Sequence, residues 1–103
     1  MNFSEAKQIA ESWVSVVSGG QTVIHWERTL SLPYGWVFFF NSSELIANPT
    51  NLGSALAGNV PILIERVNGE LRVLGLKYQE RLRDIESELP TACLLMSPEQ
   101  PRW

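Results

Sequence analysis

The chain is short of almost everything that reacts. Its 103 residues contain one cysteine (Cys93), one histidine (His25) and one aspartate (Asp84). A lone cysteine closes no internal disulfide, which favours a reducing compartment. So small a stock of ligands offers no cluster at metal-binding spacing, and neither a metal nor any other cofactor is expected. The glycines form no phosphate loop: Gly19-Gly20 lacks a following Lys-Ser or Lys-Thr, and Gly53, Gly58, Gly69 and Gly75 are scattered. Lys/Arg runs are also missing, so nucleic acid is not an expected partner. The longest apolar run, residues 36–40, is strand-sized, far below the ~20 residues that cross a bilayer. No membrane role is expected. The first residues, Met1-Asn2-Phe3-Ser4-Glu5, are polar and acidic where a secretory leader would be basic and then apolar. The expected location is cytoplasmic.

Two reactive side chains remain to be weighed. His25, two residues from Glu27 in an alternating segment, could serve as a general base, but a half-exposed strand position without a catalytic role is the strongly favoured reading. Cys93 lies just past the helix-stopping Pro90 in the apolar run Cys93-Leu94-Leu95-Met96. Nothing beside it would favour a thiolate, so an inert, buried thiol is the favoured reading. The chain is not expected to be an enzyme.

What is present is a foldable pattern. The composition is 45% hydrophobic and 18% charged, with a net charge of −3, ordinary for one globular domain. Residues 3–18 place Phe3, Ala6, Ile9, Ala10, Trp13, Val16 and Val17 at helical spacing. Asn2 and Glu5 fit a capping box at the helix start, and Gly19-Gly20 suits its end. Residues 22–30 alternate, with Ile24, Trp26 and Leu30 on one face. Residues 36–41 form a strand apolar on both faces, so both should be covered. A less regular stretch follows, broken at Asn48-Pro49, with a short helical turn allowed at Leu52, Ala55 and Leu56. Strand 61–67 then leads to Asn68-Gly69, the residue pair that a type I′ hairpin prefers. With those two as the central pair, Glu65 faces Arg72 and Ile64 faces Val73, and Ile62, Ile64 and Val73 share a face. Residues 78–89 place Tyr78, Leu82, Ile85 and Leu89 on one stripe, and Pro90 stops the helix.

The expected architecture is α+β: a helix, a four-stranded antiparallel sheet (two strands, a long loop, a β-hairpin) and a C-terminal helix packed on one face. Element runs of this kind favour helices gathered on a single side. Residues 1–90 form the domain. Residues 91–103 form a tail partly packed on it, and its last seven residues are expected to fray.

The segment 35–86 resembles the YrhB-like domain, the Immunity protein 35 family. The resemblance rests on Gly35-Trp36-Val37-Phe38-Phe39-Phe40, on Gly58-Asn59-Val60-Pro61 leading into Ile62-Leu63-Ile64-Glu65-Arg66, and on Asn68-Gly69-Glu70 with Leu74-Gly75 beyond. Trp36 matches the family's characteristic tryptophan and is read as core. Gly58, Asn59 and Pro61 match the turn before the third strand, and Asn68 with Gly69 the hairpin. The resemblance implies a bacterial immunity protein of a polymorphic toxin system. Such proteins bind the toxin made by a neighbouring gene and block its active site. The toxins are varied, peptidase-like ones among them. Stand-alone members proposed to act as small holdase-type chaperones give the alternative reading.

An inhibitor of this kind needs shape, anchors and charge rather than a nucleophile. Leu32 and Tyr34, flanking Pro33 in a loop, and Trp103 in the tail are the expected anchors, with Glu27 and Arg28 as strand-edge charges. A loop whose side chains cap the core edge, and a Trp103 docked on the body, are alternatives that the residues leave open. Trp13 and Trp36 are assigned to the core. Trp26 is assigned there too, with an exposed patch as the lesser alternative. Monomer and homodimer both remain open.

Overall fold

The structure, a computed structural model, describes residues 1–18, 22–42, 61–75 and 77–103. Helix α1 (Phe3–Ser18) begins with the expected capping box. The Glu5 N–H donates to Asn2 Oδ1 at 2.9 Å, and the Asn2 N–H donates to Glu5 Oε1 at 3.1 Å. Two donors that the helix start leaves without intrahelical partners are thereby satisfied. Its buried face is Phe3, Ala6, Ala10 and Val14, with Ile9 and Trp13 at the margin. Val16 was expected on this face and is exposed instead, since at 3.6 residues per turn it lies roughly 110° from the centre of the stripe. Val17 has the right angle but sits in the last turn, and it too is exposed.

Strands β1 (Thr22–Ile24), β2 (Leu30–Leu32), β3 (Gly35–Phe38), β4 (Phe40–Ser42), β5 (Ile62–Glu65) and β6 (Leu71–Val73) follow. The four-stranded antiparallel sheet has the order β2-β3-β5-β6, and β1 pairs with β4 as a two-stranded extension. The expected first strand, residues 22–30, is therefore two strands. A 3-10 turn at Trp26–Arg28 separates them, held by Arg28 N–H to His25 O (3.0 Å) and Thr29 N–H to Trp26 O (3.1 Å). The turn ends the strict alternation, and Trp26 leaves the core face it was assigned to.

Side chains alternate along the central strands. Trp36, Phe38 and Phe40, with Ile62 and Ile64, point to α1, while Val37, Phe39 and Leu63 point the other way. The expected single strand 36–41 is divided at Phe39 into β3 and β4, which join different sheets. Both faces of residues 36–40 are covered, as their double-sided apolar character requires. Gly35 is needed where β3 crosses β5, because a Cβ there would collide with the Ile64 carbonyl oxygen.

The hairpin keeps its expected faces and shifts its register by two residues. Ile64 pairs with Leu71, Leu63 with Arg72 and Ile62 with Val73. A type I′ turn needs positive φ at both central residues, and only Gly69 adopts it (φ 71°). Asn68 instead uses its side chain, accepting the Glu70 N–H on Oδ1 at 2.9 Å. The loop becomes Arg66-Val67-Asn68-Gly69, closed by Gly69 N–H to Glu65 O at 2.8 Å. A shift of two leaves every side chain on its face. The Glu65–Arg72 ion pair forms after all, diagonally, at 2.8 Å.

Helix α2 (Tyr78–Glu88) buries Leu82 and Ile85 on the face of the sheet opposite α1. The α+β class, the four-stranded sheet and the C-terminal helix on one face are as expected. The grouping of both helices on a single side is not, because both sheet faces are apolar and each needs a cover. Past Pro90, a short helix α3 (Thr91–Leu94) packs Cys93 and Leu94 against the same layer. The turns assigned to Gly19-Gly20 and to Gly58-Asn59, and the helical turn at Leu52, Ala55 and Leu56, lie outside the described residues.

Candidate functional site

The last residues do not fray. The backbone N–H of Phe3 donates to Glu99 Oε2 at 2.7 Å, which sets a carboxylate on the N-terminal turn of α1. An anion there meets both an unpartnered donor and the positive end of the helix dipole. The carbonyl of Glu99 accepts the Trp36 indole N–H at 2.8 Å, and Arg66 Nη1 donates to Ser97 O at 2.5 Å. These bonds lay the tail over the α1 side of the molecule. A fully buried indole needs a partner for its N–H, and the tail supplies it.

Trp103 completes the strap. Its ring stands edge-on to Phe3 (5.4 Å between centroids) and to Phe38 (6.0 Å). The Lys7 ammonium lies 5.2 Å from the ring centre, a cation–π contact. The aromatic core thus continues outward to a tryptophan that is still 39% exposed.

Beyond Trp103, an open groove of about 420 Å³ runs between α1 and the β1 edge. Its walls include Glu11 and Val14 from α1, Val23 and Ile24 from β1, Trp26 from the 3-10 turn, and Trp103. Trp26 is 55% exposed and Val23 44%. Among the described residues Glu11 is the single ionisable side chain on its walls, and its ion pair with Lys7 is long, at 3.8 Å. Glu27, next along from Trp26, is exposed and makes no ion pair among the described residues. An apolar trough with two indoles and a carboxylate on its walls is the candidate contact site of this chain.

The residues expected to make contacts do not form one patch. Trp103 lines the groove, and Glu27 belongs to the turn that supplies Trp26. Arg28 turns away, its guanidinium 4.2 Å from the centre of the Phe39 ring, in the layer that holds α2. Leu32 packs partly buried in that same layer. Tyr34 was expected at an exposed loop tip and is instead 3% exposed, in one cluster with Leu63, Leu82 and Ile85. Its phenol is pushed above its ordinary pKa, first by burial and then by the nearby Glu86 carboxylate. The hydroxyl makes no well-directed hydrogen bond among the described residues. A turn of only two residues between paired strands holds its ring over the sheet.

Sequence reasoning missed Trp26, Val23, Val14 and Glu11 as wall residues. The exposed-patch alternative for Trp26 was the one available signal, and the 3-10 turn that selects it leaves no mark in an alternating pattern. His25 is half-buried, its backbone N–H donating to Phe39 O at 2.7 Å. Cys93 is half-buried against the α2 layer. Among the described residues no three His, Cys, Asp or Glu side chains converge as metal ligands. No helix there is long and apolar enough to cross a membrane.

Comparison with known proteins adds one finding. No curated protein and no solved structure matches the chain. A family model described as Immunity protein 35 matches residues 4–92, which takes in α1, every strand and α2 and stops short of the strap. The chain belongs to the Immunity protein 35 family.

Proposed function

We propose that this protein binds one toxin and neutralises it by covering the toxin's active site, acting as a binding protein rather than an enzyme. Family membership supports the immunity role. The observation that carries the reading in this chain is the groove flanked by Trp26 and Trp103. Exposed indoles at the mouth of an apolar trough are the usual anchors of tight protein interfaces. A fold of this size has little reason to leave a tryptophan in water unless something covers it. Glu27, Trp103 and the newly found Trp26 are the proposed contacts. Leu32 and Arg28 lie towards the other layer and form at most a second rim, and Tyr34 supports the fold. The partner is a protein, peptidase-like toxins being among the candidates, and the cytoplasm is the proposed place of action.

Co-expression tests this. The product of the adjacent gene, expressed alone, should arrest growth, and the present protein should restore it and co-purify with that product in a fixed ratio. A protein that instead captures many unrelated, substoichiometric chains would be acting as a chaperone. Such an outcome would contradict the proposal.

A further inference from the structure

We propose that the groove receives an arginine side chain of the partner toxin, stacked against Trp26 and Trp103 and paired with Glu11. This rests on the immunity reading for the identity of the partner, and on the groove itself for the chemistry. Among the described residues, Glu11 is the single charged side chain on otherwise largely apolar walls. A purely apolar occupant would strip water from that carboxylate and offer nothing in return. The local cations do little to answer it. Lys7 reaches Glu11 only at 3.8 Å, and its ammonium lies over the Trp103 ring. Arg28 is committed to Phe39 on the far layer. Arg102 makes no ion pair with either Glu11 or Glu27 among the described residues. With Glu11 half-exposed and its one ion pair long, an occupant that brings its own positive charge, together with enough apolar and planar surface to cover two indoles, matches these walls best. Arginine meets both demands: an apolar stem, a flat guanidinium that stacks on aromatic faces, and a fork of donors for a carboxylate. Lysine offers the charge without the plane. With room for about 420 Å³, the groove also accepts the residues flanking the arginine, and the chain's net charge of −3 favours approach of a basic segment.

The test uses the full chain, labelled so that the four indole N–H signals can be followed by NMR. The probes are acetyl-Ala-Arg-Ala-amide, its citrulline counterpart, which keeps the length and the plane and removes the charge, and its norleucine counterpart, which keeps only the apolar stem. The arginine peptide should shift the Trp26 and Trp103 signals saturably and leave that of Trp36, sealed under the tail, unchanged. Citrulline should bind about tenfold more weakly, the scale of a cation–π contact. Glu11→Gln should weaken the arginine peptide several-fold and leave the citrulline peptide unaffected, a contrast that mere loss of structure would not produce. Equal binding of arginine, citrulline and norleucine would overturn the proposal, as would no shift at any soluble concentration. The two readings fail separately. If the wild type protects cells from the toxin and Trp26→Ala and Glu11→Gln protect as fully, the groove assignment falls and the immunity role stands. If the arginine peptide binds the groove and the wild type gives no protection, the immunity role falls and the arginine site stands.

Discussion

The two layers that sandwich the sheet are built from different material. On the α1 side the filling is aromatic: Phe3, Trp36 and Phe38 meet one another edge-on or tilted, and Trp103 carries the series to the surface. On the α2 side it is mainly aliphatic, Leu63, Leu74, Leu82 and Ile85 around Val37. A smaller groove of about 200 Å³ there, near the hairpin turn and Cys93, has only the buried Tyr34 as an aromatic among the described residues. Core filling and contact surface are continuous in the first layer and separate in the second. The difference bears on the proposed function: the row of rings that ends at the part-exposed Trp103, beside the exposed Trp26, is where the proposed partner would extend the core. The α2 layer is complete in itself.

The sharpest break of this contrast is Trp36→Ala. It removes the largest buried side chain and also strands the Glu99 carbonyl, and should cost about 3–5 kcal/mol in denaturant unfolding. A loss below about 1 kcal/mol would mean that the aromatic layer is not what holds the sheet. Next in size is Arg72→Ala on the other side. Glu65 is 5% exposed and depends on Arg72 at 2.8 Å, so the orphaned carboxylate should cost about 1–3 kcal/mol. Replacing both residues by apolar ones should recover most of that loss, because the pair is weak evidence of net stability.

Glu99→Ala tests the strap. It removes the acceptor for the Phe3 N–H and should cost about 0.5–2 kcal/mol, the range of a lost helix cap. It should also expose Trp36 to fluorescence quenching by acrylamide. Tyr34→Phe should be the mildest of the core changes, neutral or slightly stabilising, since its hydroxyl is buried without a good partner. Its signature is in pH. The folded phenol holds its proton above the ordinary tyrosine range, whereas in the unfolded chain it ionises near pH 10, about the model-peptide value. The folded state therefore binds more protons above that pH, and stability must fall as pH rises through it. The part of the fall that Tyr34 contributes should vanish in Tyr34→Phe. Trp26→Ala should leave stability within about 0.5 kcal/mol, as for other surface positions.

Much of this was legible from the chain because local chemistry and packing agreed. Asn2 and Glu5 form the capping box that their spacing announces, and Tyr78, Leu82, Ile85 and Leu89 make the stripe that holds α2. The double-sided apolar run at 36–40 required two covered faces and has them. The failures share a cause: non-local contacts decided between patterns that were locally equivalent. Asn68-Gly69 suits a two-residue turn and a four-residue loop alike, and the shift between them moves no side chain across the sheet. Tyr34 in Leu32-Pro33-Tyr34 looks like an exposed tip until α2 is seen to lie over it. The tail from Ser97 onward is polar enough to fray, and it is partners distant in sequence, the Trp36 indole N–H, the Phe3 N–H, the Arg66 guanidinium and the Phe3 and Phe38 rings, that give it somewhere to bind. The groove was hidden for the same reason, since its Trp103 wall comes from the far end of the chain and its Trp26 wall from a turn that the alternating pattern did not show.

Hydrogen exchange of the protein alone and in complex with the toxin of the adjacent gene tests the central claim most directly. The account predicts that binding slows exchange at β1, at the Trp26–Arg28 turn and in the last residues before Trp103, with α2 unchanged. Protection confined to α2 and the hairpin turn, with the groove still exchanging freely, would contradict it.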